Sequence, residues 1–154
     1  MTFMNFVTGL PAMLLCLLVQ TAVAFWCVRY YVNHLPRDGS GQRFLVGMRP
    51  LIVATLAMLG GTLVQIMLWG LLFLWLGEFE QAYDAIYHSA VNFSSLGYGD
   101  IVMTRAHRLL GPLEAVNGVL MLGMSAATLM AILQHMVTLL NEARPKEGPG
   151  GRMP

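Results

Sequence analysis

Charged residues are scarce in this chain and are absent from three long stretches. Of its 154 residues, 56% are apolar and 11% are charged, against roughly 25% charged residues in soluble proteins. No Asp, Glu, Lys or Arg occurs before Arg29, between Arg49 and Glu78, or between Glu114 and Glu142. This composition excludes an ordinary soluble domain and indicates a chain that lies largely in lipid.

Features of a nucleic-acid-binding protein and of an enzyme are also lacking. Nine Lys and Arg residues against eight Asp and Glu residues leave a net charge of +1, which provides no basic surface for nucleic acid. The two cysteines, Cys16 and Cys27, have no metal-ligand or redox spacing, so we interpret them as packing or lipid-facing residues. No nucleophile, base and orienting acid converge in the apolar runs. We therefore expect neither enzyme activity nor a cofactor.

Each charge-free stretch is long enough to cross a bilayer. A hydrocarbon core of about 30 Å needs roughly 20 apolar residues as helix, and the stretches supply predicted spans at 10–31, 51–76 and 112–140. The first is not a typical secretory signal, because its nearest cation, Arg29, follows the apolar run. We predict an all-α membrane protein with three transmembrane helices.

The positive charges predict which side each connector faces, because Lys and Arg concentrate in cytoplasmic loops. Cations cluster between the first two spans and in the tail, whereas 78–108 is acidic overall. We predict an outside N-terminus and a cytoplasmic C-terminus in a plasma membrane or a bacterial inner membrane. The cytoplasmic cations would be Arg29, Arg37, Arg43, Arg49, Arg144, Lys146 and Arg152.

The segment between the second and third spans is long for a hairpin connection and too apolar for a simple exposed loop. Within 81–93, apolar and aromatic residues including Tyr83, Ile86, Tyr87 and Phe93 recur at spacings of three and four. This pattern predicts a short helix with one buried face. We expect the helix to re-enter the membrane between the two spans.

Glycine alternates with larger residues after this helix, in Leu96-Gly97-Tyr98-Gly99-Asp100. Glycine readily adopts the mirror-image backbone angles that are needed if successive carbonyls are all to face one axis. Five extended residues, at about 3.3 Å each, give a ladder of carbonyls on the order of 15 Å long. Rings of such carbonyls replace the water shell of a permeating cation.

Residues 85–100, with the sequence AIYHSAVNFSSLGYGD, resemble the pore helix and selectivity filter of the potassium-channel pore-domain family. The usual family filter is Thr-Val-Gly-Tyr-Gly-Asp. The resemblance extends over 51–140 and leaves the first span as an addition. It implies a homotetramer, because one chain supplies one strand of the filter and a closed ring needs four. The implied filter is Ser95, Leu96, Gly97, Tyr98 and Gly99, with K+ at the carbonyls of the first four and at the Ser95 hydroxyl.

Residues beside the implied filter have implied supporting roles. Tyr87 and His88 stand where many family members carry aromatic residues that brace the filter tyrosine. Ser94 and Ser95 both replace family threonines; serine loses the methyl group that stiffens the side chain, so we expect a looser innermost site. Asp100 is expected at the outer mouth, where a ring of carboxylates raises the local cation concentration. A solvated loop acid is the alternative.

The third span carries further candidates. Glu114 lies just inside the span, where an ionisable group is costly without a partner. It either holds the back of the pore helix or filter by hydrogen bonds, or snorkels at the interface. Gly123 is placed like the glycine at which the family's inner helix bends, with helix packing as the alternative. Thr128 and Ile132 share one helical face and are expected to line the lower pore.

The sequence thus predicts four parts and one function. An additional transmembrane helix occupies 1–33, a cytoplasmic linker 34–50, the pore domain 51–140, and a disordered tail 141–154 that is too short for a ligand-binding domain. The predicted function is passive conduction of potassium across a lipid bilayer. The alternatives are a weakly selective cation channel and a non-conducting regulatory membrane subunit that docks through its first span.

Overall fold

The described part of the chain, residues 2–34 and 43–142, folds into four helices. The structure is a computed structural model. Every regular element among the described residues is helical, which confirms the predicted all-α fold. In chain order the helices are α1 (Thr2–Asn33), α2 (Arg43–Trp75), α3 (Ala82–Phe93) and α4 (Leu110–Glu142).

Three of these helices are long and apolar enough to cross a membrane, which confirms the predicted number of spans. The apolar part of α2 is Met48–Trp75, although the helix itself begins at Arg43, before the predicted start at 51. The difference arises because charges mark where a helix leaves lipid and not where it ends. Residues 43–50 of the predicted linker are therefore helical, whereas 35–42 and the tail beyond 142 lie outside the described residues.

The short helix α3 packs between α2 and α4, and α1 packs against both of these long helices. One buried cluster joins all four helices through side chains such as Cys16, Trp69, Phe93 and Leu110. A second cluster, which includes Cys27 and Ala54, joins α1, α2 and α4. Both cysteines are thus packing residues that face other helices.

Polar side chains also tie α1 to the rest of the fold at three levels along its length. Gln20 and Gln65 are both completely buried in apolar helices, where interhelical hydrogen bonds are the available way to satisfy an amide. Together with Ser125 they link α1, α2 and α4. The contacts are Asn5 Nδ2 to the Ala106 carbonyl (2.9 Å), Gln20 Nε2 to Ser125 Oγ (2.6 Å), Gln65 Nε2 to Gln20 Oε1 (2.6 Å), and the Tyr31 hydroxyl to His135 Nδ1 (3.1 Å).

Candidate functional site

The C-terminal end of α3 leads directly into residues 95–99, which we call the 95–99 segment. Helix α3 ends at Phe93, and the next backbone N–H groups turn back onto its last carbonyls. Ser95 N–H donates to the Asn92 carbonyl (2.8 Å), and Leu96 N–H donates to the Val91 carbonyl (3.0 Å). The base of the segment is therefore fixed by the end of the helix.

Backbone angles alternate along the 95–99 segment. The φ angle is positive at Ser95 (58°), Gly97 (59°) and Gly99 (73°), so every second residue lies in the left-handed region. The predicted positive φ angles of the two glycines are confirmed. Among the described residues, no hydrogen bond is accepted by a carbonyl of this segment, so its carbonyls have no partner within the subunit.

Ser95 is an unexpected member of this alternation, because it is the one described residue other than glycine with a positive φ angle. Such a conformation is strained for any side chain and is worst for β-branched residues. Threonine, the family residue at this position, is β-branched. Serine, which is not β-branched, is therefore less strained at this φ angle than threonine would be.

The side chains of the 95–99 segment have few neighbours within their own subunit. Leu96 is 58% exposed and Tyr98 is 67% exposed. A Cβ atom added to Gly97 or Gly99 would meet no neighbouring atom within 4 Å. One subunit therefore holds the segment at its base and leaves its side chains uncovered.

Tyr87 and His88 of α3 both contact the residues that follow the segment. The Tyr87 hydroxyl donates to Asp100 Oδ2 at 2.7 Å, and this hydrogen bond lowers the pKa of Asp100 and raises the pKa of Tyr87. His88 Nδ1 lies 3.0 Å from the Ile101 carbonyl, and its Nε2 lies 2.9 Å from Asn92 Nδ2. A carbonyl only accepts and an amide nitrogen only donates, so these partners assign a neutral His88 with its proton on Nδ1. Burial lowers the pKa of His88, which favours the same form.

Glu78, which follows α2, anchors the loop between the segment and α4. Its carboxylate accepts the Thr104 backbone N–H (2.7 Å) and hydroxyl (2.6 Å), and it pairs with His107 Nδ1 (2.5 Å). Burial alone would raise the pKa of Glu78, but the hydrogen bonds from Thr104 and His107 outweigh it and lower the pKa. The sequence did not indicate this role, because the partners of Glu78 lie far along the chain.

Glu114 of α4 contacts the back of α3. It is completely buried, and its Oε1 lies 2.5 Å from the hydroxyl of Ser89, which is also completely buried. Of the two alternatives for Glu114, the structure thus places it in a contact with α3 and not at an interface with water.

Two glycines let the long helices approach α3 closely from either side. On α4, a Cβ added to Gly118 would overlap the Phe93 carbonyl oxygen and lie 2.8 Å from its carbon. On α2, a Cβ added to Gly70 would lie 3.2 Å from Ile86 Cα. Helix packing was the alternative considered for Gly123, but Gly118 is the glycine of α4 that makes the close approach to α3.

Residues 51–135 match the model of a family described as an ion channel. The chain belongs to this ion-channel family. The match covers α3, the 95–99 segment and most of α2 and α4, and it agrees with the resemblance to the potassium-channel pore-domain family. Helix α1 lies outside it. Comparison with curated proteins and with solved structures gave no match.

The C-terminal half of α4 in this ion channel differs from the prediction at one residue. Ile132, which we predicted to line the pore, is only 3% exposed and packs in a cluster with Cys27 and Tyr31 of α1. That prediction is wrong, because the helical face that carries Ile132 is covered by α1. Thr128 lies one turn earlier, is partly buried, and donates its hydroxyl to the Met124 carbonyl of its own helix. Its pore-lining role stays a prediction.

A different side of α4 is uncovered in the single subunit. Gly123 is exposed, and a Cβ added there would meet no atom within 4 Å. Ala126, Ala127 and Met130 are exposed as well. The position of Gly123 gives a hinge free space, and the hinge itself stays a prediction.

Proposed function

We propose that four copies of this chain surround one axis and conduct potassium passively through the 95–99 segment. The observation that carries this proposal is the alternation of positive φ angles at Ser95, Gly97 and Gly99. Alternating left-handed residues turn successive carbonyls toward the same side, and those carbonyls have no partner within the described subunit. Carbonyl rings of this kind take the place of the hydration shell of an ion.

The proposed ligands of K+ are the carbonyls of Ser95, Leu96, Gly97 and Tyr98, with the Ser95 hydroxyl at the cytoplasmic end. Potassium would shed water, move between adjacent sites by mutual repulsion, and need no nucleotide or metal cofactor. The C-terminal end of α3 supports cation binding, because a helix carries partial negative charge at that end.

Fourfold assembly is the arrangement that the resemblance to the potassium-channel pore-domain family implies, and the exposure of Leu96 and Tyr98 supports it. One chain contributes one strand. The Leu96 and Tyr98 side chains are exposed in the single subunit and would be covered by neighbouring subunits. Closed point symmetry with four copies supplies those neighbours and the axis together. Asp100 from each copy would then form an acidic outer mouth.

The proposal also includes an orientation and a hinge. The N-terminus would lie outside and the C-terminus in the cytoplasm of a cell membrane, because the cations cluster between α1 and α2 and in the tail. Gly123, with free space around it, would be the point at which α4 bends.

A flux assay with matched glycine variants tests this function. The protein in liposomes should pass potassium faster than sodium, and Gly97→Ala should lose this preference, because alanine is strained at a φ angle of 59°. Gly60→Ala is the control, since its Cβ also meets no atom within 4 Å but its φ angle is not positive.

Three outcomes would contradict the proposal. Equal potassium and sodium flux in the wild type would favour a weakly selective cation channel. No flux of either ion would favour a non-conducting membrane subunit. The same flux in Gly97→Ala as in Gly60→Ala would remove the 95–99 segment from the ion path.

A further inference from the structure

Ser89 of α3 has a hydroxyl that contacts oxygen atoms from two other helices. Ser89 Oγ lies 2.8 Å from the Ile66 carbonyl of α2 and 2.5 Å from Glu114 Oε1 of α4. A hydroxyl has a single proton to donate, and a backbone carbonyl can only accept. If the Ser89 proton goes to Ile66, the proton in the contact with Glu114 must come from Glu114.

The ionised form of Glu114 fits these surroundings poorly. With a carboxylate, two acceptors would compete for the single Ser89 proton, and one short oxygen–oxygen contact would have no proton. Glu114 is 0% exposed, and the one salt bridge among the described residues does not involve it. Within the described part of the chain, no hydrogen bond reaches its Oε2 atom, and the polar side chains that act on the carboxyl group, Ser89 and Asn92, are both neutral. A buried charge without a partner is strongly unfavourable.

We propose that Glu114 is protonated at neutral pH and donates to Ser89, which in turn donates to the Ile66 carbonyl. This relay runs in one direction from α4 through α3 to α2, so it joins both long helices to the helix that holds the 95–99 segment. Glu114 is thus a positioning residue. Its effect on ion selection rests on the proposed function, whereas its protonation does not.

Helix α1 provides the cover that the neutral carboxyl group needs. A Cβ added to Gly9 would lie 2.8 Å from Leu113 Cδ1, so the backbone of α1 closely approaches α4 beside Glu114. Cys16 of α1 is 1% exposed and packs in the same cluster as Trp69 and Leu110. Helix α1 thus packs over the part of α4 that carries Glu114.

Infrared spectroscopy of the full chain in lipid tests the protonation directly. The difference between wild type and Glu114→Gln at neutral pH should show the loss of one carbonyl-stretch band of a protonated carboxylic acid. Glu80→Gln, at an exposed glutamate, is the matched control and should remove carboxylate bands. Loss of carboxylate bands in Glu114→Gln as well would overturn the proposal.

Ser89→Ala gives a second spectroscopic test that keeps the carboxyl group. Without the Ser89 oxygen as acceptor, the acid band of Glu114 should remain and change frequency. A band at an unchanged frequency would mean that Glu114 does not donate to Ser89. This measurement applies even if Glu114→Gln fails to fold.

Ion selection tests the positioning role separately. Glutamine keeps an N–H group that can donate to Ser89, so Glu114→Gln should retain potassium preference. Glu114→Leu has no donor, so its ratio of potassium to sodium flux should be about tenfold lower than that of the wild type. This is the size of effect expected from the loss of one buried hydrogen bond. Equal preference in both variants would refute the positioning role. An acid band in a wild-type protein that conducts no potassium would refute the channel function while leaving the protonation intact.

Discussion

The two sides of the end of α3 are held in opposite ways. Behind it, Ser89 and Phe93 are buried, and Gly118 brings the α4 backbone against the helix. In front of it, Leu96 and Tyr98 are more than half exposed. One subunit thus fixes where the 95–99 segment begins and leaves the side chains of that segment uncovered, as the proposed ion binding and assembly require.

The largest expected effect comes from closing the space behind α3. Gly118→Ala should lower the free energy of unfolding by about 3 kcal/mol, the upper end of the range for overpacked sites, because the new Cβ would overlap the Phe93 carbonyl. Thermal unfolding in detergent measures this loss. Gly123→Ala, on the same helix with free space around it, should unfold like the wild type. Equal stability of the two variants would mean that α4 does not press against α3.

A smaller effect is expected from the polar contacts of α1. Gln20→Leu removes the hydrogen bonds to Ser125 and Gln65, and interhelical hydrogen bonds in membranes contribute about 1 kcal/mol. The melting temperature should fall while the ratio of potassium to sodium flux stays unchanged. A changed flux ratio would mean that the α1 contacts and the 95–99 segment are coupled more closely than the structure indicates.

Acid should weaken the contacts that His88 and Glu78 make with the loop after the 95–99 segment in two steps. The folded protein lowers the pKa of His88 below 6.5 because burial disfavours its charged form. The stability that the neutral ring provides is therefore complete above pH 6.5 and is lost as the pH falls through the lowered value. The pKa of Glu78 is lowered below 4.5. The stability that its carboxylate provides is therefore complete above pH 4.5 and is lost as the pH falls below that value.

Unfolding temperatures measured against pH check this sequence of events. His88→Asn keeps an N–H donor for Ile101 but does not titrate, so it should remove the first part of the acid-induced fall. His34→Asn, at an exposed histidine, should leave the wild-type profile. If the unfolding temperature of His88→Asn falls with acid as it does in the wild type, His88 is excluded as the cause.

The smallest effect is expected at the exposed hydrogen bond between Tyr87 and Asp100. Tyr87→Phe removes this 2.7 Å contact and should shorten the time for which single channels keep conducting, without changing which ion is preferred. Tyr83 stacks on Tyr87 at 6.4 Å between ring centroids and is 75% exposed, so Tyr83→Phe is the matched control. Identical single-channel records for the two variants would show that Tyr87 does not support the segment.

Much of this fold could be predicted because lipid constrains the sequence strongly. Long charge-free stretches predicted the three spans, and the spacing of apolar residues in 81–93 predicted α3 within one residue of its start. The positive φ angles at Gly97 and Gly99 could be predicted because glycine adopts them readily. The positive φ angle at Ser95 could not be predicted, since a serine side chain gives no signal for such a conformation.

The remaining features depend on contacts between helices that are distant in sequence. The span containing Ile132 is apolar on every side, so its own pattern could not show which face α1 covers. Glu114 was identified as costly in lipid, but its partner Ser89 comes from a different helix. Gly118 resembles the other small residues of α4, and only the position of Phe93 distinguishes it.

A crystal structure of the assembled protein soaked in thallium, an anomalous scatterer that substitutes for potassium, tests the central claim most directly. The account predicts four copies of the 95–99 segment around one axis, with anomalous peaks spaced by about 3.3 Å between successive carbonyl layers. Segments that face lipid, or that meet in pairs without peaks on an axis, would contradict it.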